Sequence, residues 1–129
     1  MTLGTQSRTV LVAEDQTGMR TLVHRLIDFE DGFEVVAEAT TGQEVLDKAA
    51  ALRPDVVVLD LGMPVVDGEV VLAQLRAMDR FMMIVVLSGQ ASAIIQPRLT
   101  SLGADAVIEK GAANWEADLM SHLRVHHQA

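Results

Sequence analysis

Five polar residues stand where they could do chemistry together: Glu14, Asp15, Asp60, Ser88 and Lys110. Each follows a short apolar run. Glu14-Asp15 succeed Thr9–Ala13, Asp60 closes Val56-Val57-Val58-Leu59, Ser88-Gly89 follow Met82–Leu87, and Lys110 comes just after Ala106-Val107-Ile108. Three carboxylates in one pocket repel, since two unit charges about 4 Å apart interact by roughly 4 kcal/mol at an effective dielectric near 20. One lysine offsets part of this, and a divalent cation is needed for the rest. All-oxygen ligation points to Mg²⁺ rather than Zn²⁺. A carboxylate nucleophile, Mg²⁺, a lysine and a hydroxyl are the parts needed for phosphoryl transfer to Asp, where the work is positioning and charge neutralisation. Singly, each residue has a plain explanation. Glu14 or Asp15 can cap a helix, Ser88 can satisfy a strand end, and Lys110 can be solvated. Five such coincidences at the ends of four runs are the weaker account.

The elements that must position these residues alternate along the chain. Val56–Leu59 is a continuous apolar run, the pattern of a strand buried on both faces. Thr9–Ala13, Phe33–Ala39, Met82–Leu87 and Ala106–Ile108 read as four more strands, with Glu34 and Glu38 suiting the second to a sheet edge. Met19, Leu22, Val23, Leu26 and Ile27 form a helical stripe within Gln16–Glu30. Thr41 with Glu44 predicts a capping box, and Arg53-Pro54 a stop. Met63-Pro64 fixes the loop after Asp60, and Asp67-Gly68 turns the chain into a third helix over about Gly68–Met78. A weak fourth helix is expected over about Ala91–Leu102, ended by Gly103. Asn114 can cap a last helix whose apolar side holds Trp115, Leu119, Leu123 and His122. Strands alternating with helices predict a parallel sheet covered on both faces. The expected fold is the flavodoxin-like doubly wound (βα)5 sandwich with strand order 2-1-3-4-5, which sets Glu14-Asp15 beside Asp60 at the switch point.

Composition narrows the function classes. The 129 residues suit one domain, with a core over about 9–123. There is no cysteine, which excludes disulfides and thiolate metal sites and fits a cytoplasmic location. A net charge of −8 without a basic run argues against direct nucleic-acid binding. No apolar stretch reaches the roughly 18 residues of a membrane span, and Met1–Arg8 lacks the apolar core of a signal peptide.

These residues resemble the receiver domain of bacterial two-component response regulators. The resemblance runs from about Thr9 to Leu123. It rests on Glu14-Asp15, on Asp60 with Met63-Pro64 and Asp67-Gly68, on Ser88-Gly89, on Gly103-Ala104-Asp105 and on Lys110. It implies that Asp60 accepts a phosphoryl group from a sensor histidine kinase or a histidine phosphotransfer protein. It further implies that Asp15, Asp60 and the carbonyl of Gly62 bind Mg²⁺, with Glu14 acting through water, and that Ser88, the Gly89 amide and Lys110 contact the phosphoryl oxygens. Such a chain is a phosphoryl acceptor with self-catalysed transfer and autodephosphorylation, not an enzyme acting on a separate substrate. Its output passes to an output domain or partner protein through the fourth helix, fifth strand and last helix, with a phosphorylation-dependent dimer as one form.

Three positions depart from the family pattern. Val107 stands where an aromatic switch residue is common, Gly111 follows the lysine in place of proline, and Pro97 falls inside the fourth helix. Lys-Gly-Ala does occur in the branch that usually carries a DNA-binding helix-turn-helix. Two alternatives are less suited. An Asp-nucleophile phosphatase of the haloacid-dehalogenase type places its nucleophile after the first strand and a second Asp two residues on, where Gly62 stands here. A phosphorylation-independent interaction module has no need of the intact acidic set. The chain ends soon after the last helix, so the expectation is a single-domain regulator or a receiver cut from a longer chain.

Overall fold

The computed structural model describes residues 7–63, 67–89 and 95–128. Strands β1 (Arg8–Ala13), β2 (Phe33–Ala39), β3 (Val56–Asp60), β4 (Met83–Ser88) and β5 (Ala106–Glu109) alternate with helices α1 (Thr17–Asp28), α2 (Gly42–Leu52), α3 (Gly68–Met78), α4 (Ile95–Leu102) and α5 (Trp115–Gln128). All strand pairs are parallel, in the order β2-β1-β3-β4-β5. This is the flavodoxin-like order expected from the alternation of strands and helices.

Side-chain alternation along the strands divides the core in two. Val10, Val12, Val56, Val58, Met83, Val85, Leu87, Ala106 and Ile108 pack with Val23 and Ile27 of α1 and with Trp115, Leu119, Met120 and Leu123 of α5. Leu11, Ala13, Val57, Leu59, Ile84 and Val86 pack on the other face with α2, α3 and Leu99 of α4. Every residue of β3 and β4 is buried, which explains their unbroken apolar runs. The β1–β2 register slips between Val10 and Leu11, leaving Val36 as the extra residue of a bulge on the edge strand.

Helix ends follow local chemistry, with some departures from the expected pattern. Thr41 caps α2 by accepting the Glu44 amide at 3.2 Å, but the Glu44 carboxylate reaches Thr40 N and Oγ1 rather than Thr41. Asp67 caps α3 through Glu69 N at 2.9 Å. Gly68 is required there, because a Cβ would lie 2.6 Å from the Leu61 carbonyl oxygen. The described part of the fourth helix begins at Ile95, so Pro97 falls in its first turn, where proline needs no amide partner. Pro64 and the stretch 90–94 lie outside the described residues. Asn114 precedes α5 with φ +63 and opens it through its carbonyl, which takes Asp118 N at 3.0 Å. His122 is exposed and pairs with Asp118, so it leaves the apolar side to Met120.

Arg76 ties four segments together. Its guanidinium donates to the carbonyls of Asp79, Arg80 and Met82 beyond α3, to the Gly103 carbonyl after α4, and to Asp105 Oδ2 at 2.7 Å. The same Asp105 oxygen accepts Ile84 N of β4 at 2.8 Å. Gly103 has φ +125, and a Cβ there would stand 2.6 Å from Arg76 Cβ. Gly103-Ala104-Asp105 is therefore the receptor for Arg76. Replacing Arg76 by Met strips donors from several half-buried carbonyls and leaves Asp105 with the Ile84 amide but without its cation. We expect Arg76→Met to lower unfolding free energy by about 2–4 kcal/mol, read by urea denaturation, with Gly103→Ala also destabilising. Stability within about 0.5 kcal/mol of wild type would show that the network carries no weight.

Candidate functional site

Strand parity assembles the site. In each of β1, β3 and β5, continuing the alternation from a residue on the α1/α5 face reaches a charge: Val12 leads to Glu14, Val58 to Asp60 and Ile108 to Lys110. Pairing of Ala13 with Leu59 brings the ends of β1 and β3 level. Lys110 Nζ lies 2.8 Å from Glu14 Oε1 and 3.1 Å from Asp60 Oδ1. Asp60 Oδ1 also accepts the Gly62 amide at 2.9 Å. Glu14 and Asp60 are buried, whereas Asp15 is exposed. One carboxylate oxygen from each of Glu14, Asp15 and Asp60 can be chosen so that all three lie within 4.8 Å of one another.

Ser88 takes the opposite parity, toward the α2/α3/α4 face, and is buried at the end of β4. Its carbonyl accepts Lys110 N at 2.8 Å, which locks the β5 end to the β4 end. Gly89 follows it and is exposed. Gly111, after the lysine, has φ +81, a value closed to proline. The departure from Lys-Pro is thus a different backbone path away from the site.

The electrostatics follow from burial. Burial and the neighbouring Asp60 push the Glu14 carboxyl up to about 7 from the usual 4.5. Burial also works to raise Asp60, but the Glu14 hydrogen bond, the Gly62 amide and Lys110 outweigh it and hold that carboxyl low. Burial opposes the Lys110 ammonium, yet Glu14 and Asp60 keep it above the ordinary lysine range. Of the two carboxyls, Glu14 is therefore the one that resists ionisation, and Asp60 the one held ionised. An excess of oxygen donors over positive charge, with one carboxyl reluctant to ionise, fits a hard divalent cation.

The sequence-predicted residues Glu14, Asp15, Asp60, Gly62 and Lys110 are brought together, and Ser88-Gly89 borders them across β4. The capping explanation for Glu14 also holds in part, since its Oε2 accepts Gln16 N at 3.2 Å. Sequence reasoning missed Arg20, whose guanidinium lies behind the acidic loop. An arginine five residues after an Asp on an amphipathic helix carries no local signal of that role. A surface hollow of about 320 Å³ lies elsewhere, between α1 and β2, lined by Thr21, His24, Arg25, Asp28 and Glu38.

Residues 10–124 match the family model of the response regulator receiver domain. A protein-glutamate methylesterase/protein-glutamine glutaminase of Anaeromyxobacter dehalogenans is 40% identical over 116 residues, which are 90% of this chain and 33% of that protein. The transcriptional regulatory protein PrrA of Mycobacterium tuberculosis is 41% identical over 106 residues, 82% of this chain and 44% of that one. The chain spans less than half the length of these curated relatives. Among solved structures, the response regulator domain of Thermotoga maritima CheB superposes with a TM-score of 0.84 at 26% identity, covering 96% of this chain and 98% of that one.

The raised Glu14 carboxyl sets a pH dependence. A carboxyl raised in the folded state contributes stability below its unfolded value, and this is lost as pH rises through the folded one. For Glu14 that window runs from about 4.5 to about 7. Asp60, held low, stays ionised throughout it. In chelator-treated protein, unfolding free energy should fall by on the order of 1–3 kcal/mol between pH 5 and pH 8. Glu14→Gln should flatten that trend, and Mg²⁺ should restore stability at pH 8. Denaturation curves with the same slope in wild type and Glu14→Gln would contradict the assignment.

Proposed function

The chain belongs to the response regulator receiver domain family, and on that premise we propose that it is phosphorylated on Asp60 in a Mg²⁺-dependent reaction. The observation that carries this reading is Lys110, whose ammonium stands within 3.1 Å of Asp60 and 2.8 Å of Glu14 at the carboxyl edge of the sheet. Receiver domains are phosphorylated by histidine kinases and regulate output domains, and this chain is one of them. The donor is a sensor histidine kinase or a histidine phosphotransfer protein.

In the proposed transfer, Asp60 Oδ2 attacks phosphorus while Oδ1 keeps its bonds to Lys110 and the Gly62 amide. The new P–O bond forms as the P–N bond to the donor imidazole breaks, and the electron pair returns to that nitrogen. Lys110 holds Asp60 ionised beforehand and then faces the charge of the transferred group. Ser88 and the Gly89 amide donate to phosphoryl oxygens. Glu14, Asp15, Asp60 and the Gly62 carbonyl hold Mg²⁺, which supplies charge neutralisation of the phosphoryl group when bound. Hydrolysis of the acyl phosphate by water resets the site.

Signal passes from Ser88 to α4. Val107 packs against the same core layer as Ile95 and Leu102, the layer that holds Leu99 of α4, and its β-branched side chain has no ring to swing. The response is carried instead by α4, so that the α4–β5–α5 face changes.

Incubation with a small acyl phosphate donor and Mg²⁺ should add a single phosphate to the wild-type mass, and none to Asp60→Asn. Modification of Asp60→Asn would mean another nucleophile is used. A phosphoryl mimic at Asp60 should produce its largest change in amide exchange between Gly89 and Leu102, blunted by Ser88→Ala. A response confined to another face would exclude this switch.

A further inference from the structure

The acidic loop is held from behind by side chains that the phosphoryl chemistry does not use. Arg20 lies one turn into α1, with its side chain 18% exposed. Its Nη1 donates to the Glu14 carbonyl at 3.1 Å and lies 3.5 Å from that of Asp15. On the other side, its Nε stands 3.4 Å from Glu38 Oε1. Glu38 is itself fixed, since its second oxygen is 2.6 Å from His24 Nδ1 and its carbonyl accepts Lys48 Nζ at 2.5 Å. His24 Nε2 is 3.2 Å from Asp28 Oδ2. The loop backbone is thus gripped from both sides: β2 takes the Glu14 amide through the Ala39 carbonyl at 3.0 Å, and α1 takes the carbonyl through Arg20.

The grip matters because the other fixings of the loop act on Glu14, through Lys110 and the Gln16 amide, and leave the Asp15 side chain unheld. The residue before α1, Gln16, makes no side-chain cap, and the first turn of α1 carries no acidic residue. Among the described residues, the exposed Asp15 carboxylate takes no hydrogen bond, so its position depends on its backbone. A fork of donors anchored at its far end orients two successive carbonyls better than a flexible ammonium does.

We propose that Arg20, braced by Glu38 and His24, is a positioning residue that pre-orients the Glu14-Asp15 loop for Mg²⁺. This rests on the reading of the acidic cluster as a Mg²⁺ site. Arg20 touches no reacting atom. It acts as the partners behind metal ligands do, whose loss weakens metal binding by about 10–100-fold.

Charge and positioning predict opposite signs. Removing a cation close to a cation site favours metal binding through Coulomb's law. Removing a brace weakens it. Arg20→Met keeps the stem and loses both donors and charge. Calorimetric titration of the full chain with MgCl₂ should show affinity reduced about tenfold in Arg20→Met, and by a smaller factor in Glu38→Gln. Arg25→Met, which removes a like charge on the same helix without touching the loop, should change it less than twofold. In metal-free protein, amide exchange at Asp15 and Gln16 should quicken in Arg20→Met while β3 stays protected. Unchanged or tighter Mg²⁺ binding in Arg20→Met overturns the proposal, as does an equal loss in Arg25→Met. If Arg20→Met fails to melt cooperatively, unchanged affinity in Glu38→Gln overturns it instead. Wild-type protein that binds no Mg²⁺ would instead overturn the metal-site reading itself.

Discussion

Two carboxylates sit buried side by side at the carboxyl edge of a parallel sheet, and one ammonium answers both. Burying ionised groups is costly unless each is paired. Lys110 supplies half of the charge that Glu14 and Asp60 would need if both ionised. The remaining imbalance forces a choice on the protein. Without another cation, the ionisation of Glu14 is pushed up toward neutrality; with a divalent ion, both carboxylates can ionise. The surrounding architecture makes that choice available by fixing the groups in place. Strand ends carry the charges, apolar faces below exclude water, and Gly62 and Ser88 lend backbone groups that lock Asp60 and Lys110.

Much of this was legible in the chain. The alternation of apolar runs and helical stripes led to the strand order, and the strand order brought Glu14-Asp15 beside Asp60. Parity does the rest: residues an even number apart along β1, β3 and β5 share a face, so Glu14, Asp60 and Lys110 had to converge once the strands were in register. Ser88, of opposite parity, was bound to border the site from the α4 side. Boundaries were less legible. Helix α1 stops at Asp28 rather than Glu30, because the Glu30 amide turns back to the Ile27 carbonyl at 3.0 Å and tightens the last turn. The Thr41–Glu44 pattern gave the right helix start, but the glutamate turned to Thr40. His122 has the spacing of an apolar position, yet an aspartate four residues earlier draws it outward.

What the chain did not reveal are the long-range braces. Arg76 and Arg20 look like ordinary helix arginines, with no spacing to distinguish them from solvated residues. Each acquires its role only when the fold brings carbonyls from distant segments to the guanidinium. Gly103-Ala104-Asp105 was visible as a motif, but its physical reason is the arginine it receives. The two braces divide the molecule. Arg76 fixes the ends of α3 and α4 away from the charged edge, whereas Arg20 fixes the loop at that edge.

The slipped register of β2 bears on how crowded copies of this protein behave. An open parallel sheet has two free margins, and an unpaired strand is a template for a stranger's backbone. Here the β2 margin is kinked at Val36 and carries Glu34 and Glu38, so a second chain finds neither a straight ladder nor a neutral one. The β5 margin is only four residues long. Neither margin invites strand addition, which protects the fold from sheet-to-sheet aggregation when many copies accumulate.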